Sequence, residues 1–143
     1  TTNGSQTPVD LSALSGPITA TIVATDAASN TANASDSSEI DSALPSVAVT
    51  LAAGQTASTF DLPVVFNVAF SEGVTGLDPA DLVIGGTAVF TSAPTATITS
   101  GVSGDSEYEV TVSGIVSTAG TVTLSVPAGI AFDTATNNNL ASP

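Results

Sequence analysis

The amino-acid sequence predicts an all-β protein, and three observations predict it. Val, Ile, Leu and Phe alternate with Thr, Ser and Asn in short runs, the period of a half-buried strand. Gly, Pro, Asn and Ser interrupt those runs every 8–12 residues or so, as turns between strands do. Helical periodicity is weak throughout, and the prolines Pro8, Pro17, Pro45, Pro63, Pro79, Pro94, Pro127 and Pro143 fall near the edges of apolar runs, where a missing N–H is tolerated.

Taken in order, the first 43 residues hold three strand candidates: a weak one at 9–14, a clear one at 18–25 and one at 31–36. From Pro45 the count is fuller. Residues 46–51 place Val47, Val49 and Leu51 on one face, and residues 64–70 do the same with Val64, Phe66, Val68 and Phe70. Residues 81–84 and 87–90 follow, separated by Gly85-Gly86, and 95–99 continues outward from the latter. Residues 107–113 align Tyr108, Val110 and Val112, and 121–126 align Val122, Leu124 and Val126. A short strand at 139–142 closes the series. About seven strands in roughly 95 residues describe an immunoglobulin-like Greek-key β-sandwich without the cysteine pair and tryptophan of antibody domains.

Residues 1–43 are too few for a second sandwich, yet they repeat the end of the first. Gly16-Pro17-Ile18-Thr19-Ala20-Thr21-Ile22-Val23 matches Gly120-Thr121-Val122-Thr123-Leu124-Ser125-Val126, and Asp26-Ala27-Ala28-Ser29-Asn30 matches Asp133-Thr134-Ala135-Thr136-Asn137. The expected organisation is therefore tandem modules: residues 1–43 as the C-terminal part of one plus a linker, and 44–143 as a complete one.

Composition removes most chemistry. The chain carries 13 Asp and Glu and no Lys, Arg, His, Cys, Met or Trp, for a formal charge of −13. Without cations it has no means of neutralising phosphates, which argues against nucleic acid and anionic membranes as partners. No apolar run approaches the roughly 18 residues of a membrane span, so no membrane insertion is expected. Imidazole bases, thiolates, Schiff-base amines and soft zinc ligands are all missing, which leaves carboxylates and hydroxyls. No carboxylate can pair with a side-chain cation, and two of them about 4 Å apart repel by about 1 kcal/mol in water and several times that near a protein surface. A hard divalent cation relieves such a cluster; dispersal over a Thr/Ser-rich surface avoids it.

The residues now assembled resemble a known family. Val9-Asp10-Leu11-Ser12-Ala13-Leu14, the strand at 18–25, Asp26-Ala27-Ala28-Ser29-Asn30 and Asp41-Ser42-Ala43-Leu44-Pro45-Ser46-Val47 resemble the close of one bacterial immunoglobulin-like repeat and the join to the next. Phe70-Ser71-Glu72-Gly73-Val74-Thr75-Gly76-Leu77, Val126-Pro127-Ala128-Gly129 and Asp133-Thr134-Ala135-Thr136-Asn137 resemble the body of a following repeat. One departure is the fourth position of the Asp-x-x-Gly-Asn loop, where Ser29 and Thr136 stand in place of Gly. The resemblance implies a large extracellular adhesin, stalk or filament protein of the bacterial surface, built as a rod and often stiffened by Ca2+ at module junctions.

Strand parity says where such a site lies. If strands alternate from Ser46, the loops 71–80, 100–106 and 127–138 share the end where the chain enters, beside Asp41. Ca2+ takes six to eight oxygen ligands, and this end supplies acids. Asp41, Glu72 and Asp133 are the first candidates, followed by Asn137 and Asp78, and Asp26 with Asn30 form the matching loop of the first module. Asp26 and Asp133 can equally serve as caps of their own turns, and no EF-hand spacing accompanies them.

A non-catalytic spacer follows as the expected function, stiffened by Ca2+ or assembled by strand complementation, with neighbouring immunoglobulin-like modules or identical subunits as partners. Any surface glycan or host ligand would be met elsewhere in the parent protein. The alternative is a carbohydrate- or surface-binding adhesin module, which needs aromatic platforms, and here Tyr108 is the single Tyr beside five Phe. A glycosidase needs two facing carboxylates. Glu107 and Glu109 offer themselves, but they alternate with Tyr108 and Val110 and read as a solvated strand face. No enzyme is expected. Asn3-Gly4-Ser5 and Asn33-Ala34-Ser35 fit the glycosylation acceptor pattern, which Ser/Thr-rich chains produce by chance.

Overall fold

A computed structural model of the chain describes residues 16–57, 62–116 and 119–143. The expected strand at 9–14 and the acceptor triplet at Asn3 lie outside the described residues. Among the described residues the protein is all-β, with eight strands in antiparallel sheets, and no helix there is long and apolar enough to cross a membrane. Two compact units divide it, Thr1–Ser42 and Ala43–Pro143.

In the first unit, β1 (Gly16–Thr25) pairs with β2 (Thr31–Ile40) from Gly16↔Ile40 to Thr25↔Thr31 without a register shift. β2 runs four residues beyond the expected end at 36. Ala, Ser and Asp are poor strand formers, but each residue from Ser37 to Ile40 has a partner on β1 that completes its ladder. Directly paired residues share a face, so Ile18, Ala20, Ile22, Ala34 and Ile40 lie on one side and Thr19, Thr21, Asn33, Ser35 and Ser37 on the other. The apolar side is largely uncovered, with Ile22 69% exposed.

In the second unit, β3 (Val47–Leu51), β4 (Val64–Phe70), β6 (Phe90–Ser100) and β7 (Glu107–Ile115) form a sheet in the order β3-β4-β7-β6. β5 (Val83–Gly86) and β8 (Val122–Ser125) form a second. Strict alternation buries Val64, Phe66, Val68 and Phe70 of β4 and Tyr108, Val110 and Val112 of β7. These residues cluster with Leu82, Leu124, Val126 and Ala131 from the remaining chain, so both sheets contribute to one core. Burying each Val side chain completely stabilises the fold by about 1.5–3 kcal/mol relative to leaving it in water. Pro94 sits in edge strand β6, in the interval where its pairing with β7 shifts register between Phe90 and Thr95, a position that dispenses with its N–H.

Three expectations change. Gly85-Gly86 is not a turn between two strands; it is the end of β5, paired with Thr123 and Val122. The backbones approach so closely there that a Cβ on Gly85 would lie 2.9 Å from Thr123 Oγ1, and one on Gly86 would meet the Thr121 carbonyl. The segment expected as a strand at 87–90 is instead a connection, and only Phe90 belongs to a strand, β6. The closing strand at 139–142 makes isolated backbone bonds, Leu140 N–H to Pro45 O at 2.8 Å and Ser142 N–H to Val126 O at 2.9 Å, without forming a named strand. A short 3-10 turn at Pro79–Asp81, absent from the sequence reading, is capped by the Asp78 carboxylate accepting from Ala80 N–H.

Tyr108 ties the core to the loops. Its ring meets Phe70 edge-on, with centroids 6.1 Å apart and planes at 87°. Its hydroxyl hydrogen is shared between Val74 O at 2.9 Å and Val102 O at 3.1 Å. Burial, and then the nearby Asp105 carboxylate, push the phenol above its ordinary pKa, so it remains a donor at every physiological pH. Tyr108→Phe keeps the ring but leaves two carbonyls short of a donor, and urea unfolding should show a loss of about 1–2 kcal/mol with an unchanged m-value.

Candidate metal centre

The two Asp-x-x-x-Asn segments fold into the same loop. In the first unit Asp26 N–H donates to Asn30 O at 2.9 Å, and Ser29 N–H returns to Asp26 O at 3.0 Å. Asp26 Oδ1 accepts from Asn30 N–H at 2.9 Å and Oδ2 from Asn30 Nδ2 at 2.8 Å. In the second unit the corresponding bonds are Asp133 N–H to Asn137 O at 3.1 Å, Thr136 N–H to Asp133 O at 3.2 Å, and Asn137 N–H and Nδ2 to the two Asp133 oxygens at 2.9 Å each. The fourth residue closes each loop in the left-handed region, Ser29 at φ 66° and Thr136 at φ 71°. This is the position where the resemblance expects Gly, and the conformation gives the reason: a Cβ strains there, a β-branched one most.

Hydrogen bonds gather three loops where the chain enters the second unit. Ser46 N–H donates to Ser71 Oγ at 3.0 Å, and Ser71 N–H to Ser46 O at 2.9 Å. Val74 and Gly104 link the loop after β4 to the loop before β7, through Val74 N–H to Asp105 O and Gly104 N–H to Val74 O. Thr75 and Phe132 exchange backbone bonds at 2.8 and 3.0 Å, joining the loop after β4 to the one after β8. Carboxylate oxygens of Glu72 and Asp133 in the second unit come within 4.8 Å of each other, Glu72 half-buried and Asp133 only 3% exposed, while Asp41 lies exposed at the end of the first unit.

Glu72 and Asp133 together can contribute ligands to a metal ion. The donor set is all oxygen, which suits hard cations such as Ca2+ or Mg2+ over zinc or copper. Asn137 grips Asp133 through its backbone N–H on Oδ1 and its side-chain amide on Oδ2. Asp78 and Asp105 are engaged otherwise, Asp78 as the cap of the 3-10 turn and Asp105 as acceptor from Val102 N–H at 2.9 Å. Asp26 and Asn30 make the same loop in the first unit, on an exposed surface.

Sequence reasoning missed Asn139, which it placed at the start of the closing strand at 139–142. Its side chain is 2% exposed and makes four bonds: Oδ1 accepts from Ile130 and Ala131 N–H at 2.9 Å, and Nδ2 donates to Pro127 O at 2.9 Å and Leu140 O at 2.7 Å. It thus shapes the loop that presents Asp133. Its one sequence signal is position, six residues after the loop's first Asp, and three consecutive asparagines conceal it. Tyr108, the single Tyr, is buried and offers no platform for a sugar ring, and Glu107 and Glu109 face outward beside it.

Comparison with family models, curated proteins and solved structures finds no match to this chain.

Two expectations follow from the loops. Thr136→Gly relieves left-handed strain of roughly 1–2 kcal/mol, partly offset by the greater unfolded-state freedom of Gly; the melting temperature should rise by about 2–5 °C in calorimetry. Acid should weaken the fold. Burial pushes the Asp133 carboxyl up, but donors from the Asn137 side chain and the backbone of Asn137, Ala135 and Thr136 outweigh it and hold the group below the ordinary Asp value. The Asn30 side chain, then its backbone, does the same for Asp26. Groups lowered in the folded state contribute stability above the unfolded pKa, near 4, and lose it as pH falls through the folded value. Unfolding free energy should therefore decline below about pH 4, and Asp133→Asn should make that decline shallower.

Proposed function

We propose that this chain is a structural module of a bacterial extracellular repeat protein, an adhesin, stalk or filament, and that its role is mechanical. The observation that carries the reading is the duplicated Asp-x-x-x-Asn loop, hydrogen-bonded alike in both units. In the first unit the loop joins β1 to β2, and in the second it joins the bridged residues Phe132 and Asn138, which supports reading β1 and β2 as the closing hairpin of a module like the second. The strand order supports an immunoglobulin-like Greek key: β3-β4-β7-β6 against β5-β8 corresponds to A-B-E-D against C-F, with residues 138–142 in the place of the last strand.

A two-stranded hairpin is marginal on its own, and Ile18, Ile22 and Ala34 share a face that a sandwich would cover. This supports completion by neighbouring modules or by strand complementation with identical subunits. The cation site adds stiffness. Ca2+ held by Glu72 and Asp133 joins two loops of the second unit, and it supplies the positive charge that the sequence lacks. Catalysis has no part in this reading.

Thermal unfolding in EGTA, in millimolar Ca2+ and in millimolar Mg2+ tests it. The expected result is a melting temperature several degrees higher in Ca2+ than in EGTA, with Mg2+ giving a smaller rise, and loss of most of the Ca2+ increment in Glu72→Ala. Equal melting in all three conditions would remove the cation from the account.

A further inference from the structure

We draw no further inference here: the strongest candidate, the apolar face of the β1–β2 hairpin lined by Ile18, Ala20, Ile22, Ala34 and Ile40, carries nothing beyond the module reading above because nothing in the structure shows what covers it.

Discussion

Thirteen carboxylates share this chain with no cationic side chain, and that constraint organises its loops. Each acid must find N–H donors, water or a metal. Asp26, Asp36, Asp78, Asp105 and Asp133 all accept backbone N–H groups within four residues of themselves. Acids that would elsewhere form ion pairs serve here as turn formers. Asp133 closes its own loop while lying within 4.8 Å of Glu72. A pair of that kind is repulsive by itself, and an oxygen-loving cation can relieve the repulsion.

The core makes this arrangement possible by fixing where the loops leave the sheets. β4 and β7 pair from Val64↔Val112 to Ala69↔Glu107, which brings the loop after β4 and the loop before β7 to one end. Tyr108 then bonds a carbonyl from each of these loops, while Asn139 shapes the loop after β8 from beneath. Polar groups inside a fold specify geometry when every partner is satisfied, and among the described residues no buried side-chain polar atom lacks a partner. The site is therefore supported by the same bonds that close the sandwich-like core.

Much of this was legible in the sequence. The strand at 64–70 reads to the residue, because Val64, Phe66, Val68 and Phe70 alternate on its inward face. Strand parity puts Glu72 and Asp133 at one end of the second unit, since up-and-down alternation depends only on the number of strands between loops. The failures have physical causes. Gly85-Gly86 carries the composition of a turn, but the demand it answers is close backbone approach between β5 and β8, which only the partner strand reveals. The tail of β2 is hidden by Ala, Ser and Asp, whose strand character comes from pairing with β1. Asp78 was placed with the site because its loop lies at that end, yet Pro79 begins a 3-10 turn that takes its carboxylate as a cap.

The central claim is that the carboxylates of Glu72 and Asp133 form a cation site. Isothermal titration of Ca2+ into chelator-stripped protein at neutral pH tests it most directly. The account predicts a saturable isotherm that is abolished by Glu72→Gln and unchanged by Glu107→Gln, a surface acid removed from the cluster. A heat signal that never saturates, or one that Glu107→Gln weakens as much as Glu72→Gln does, would show that the ions form a diffuse atmosphere around a highly charged surface and would contradict the account.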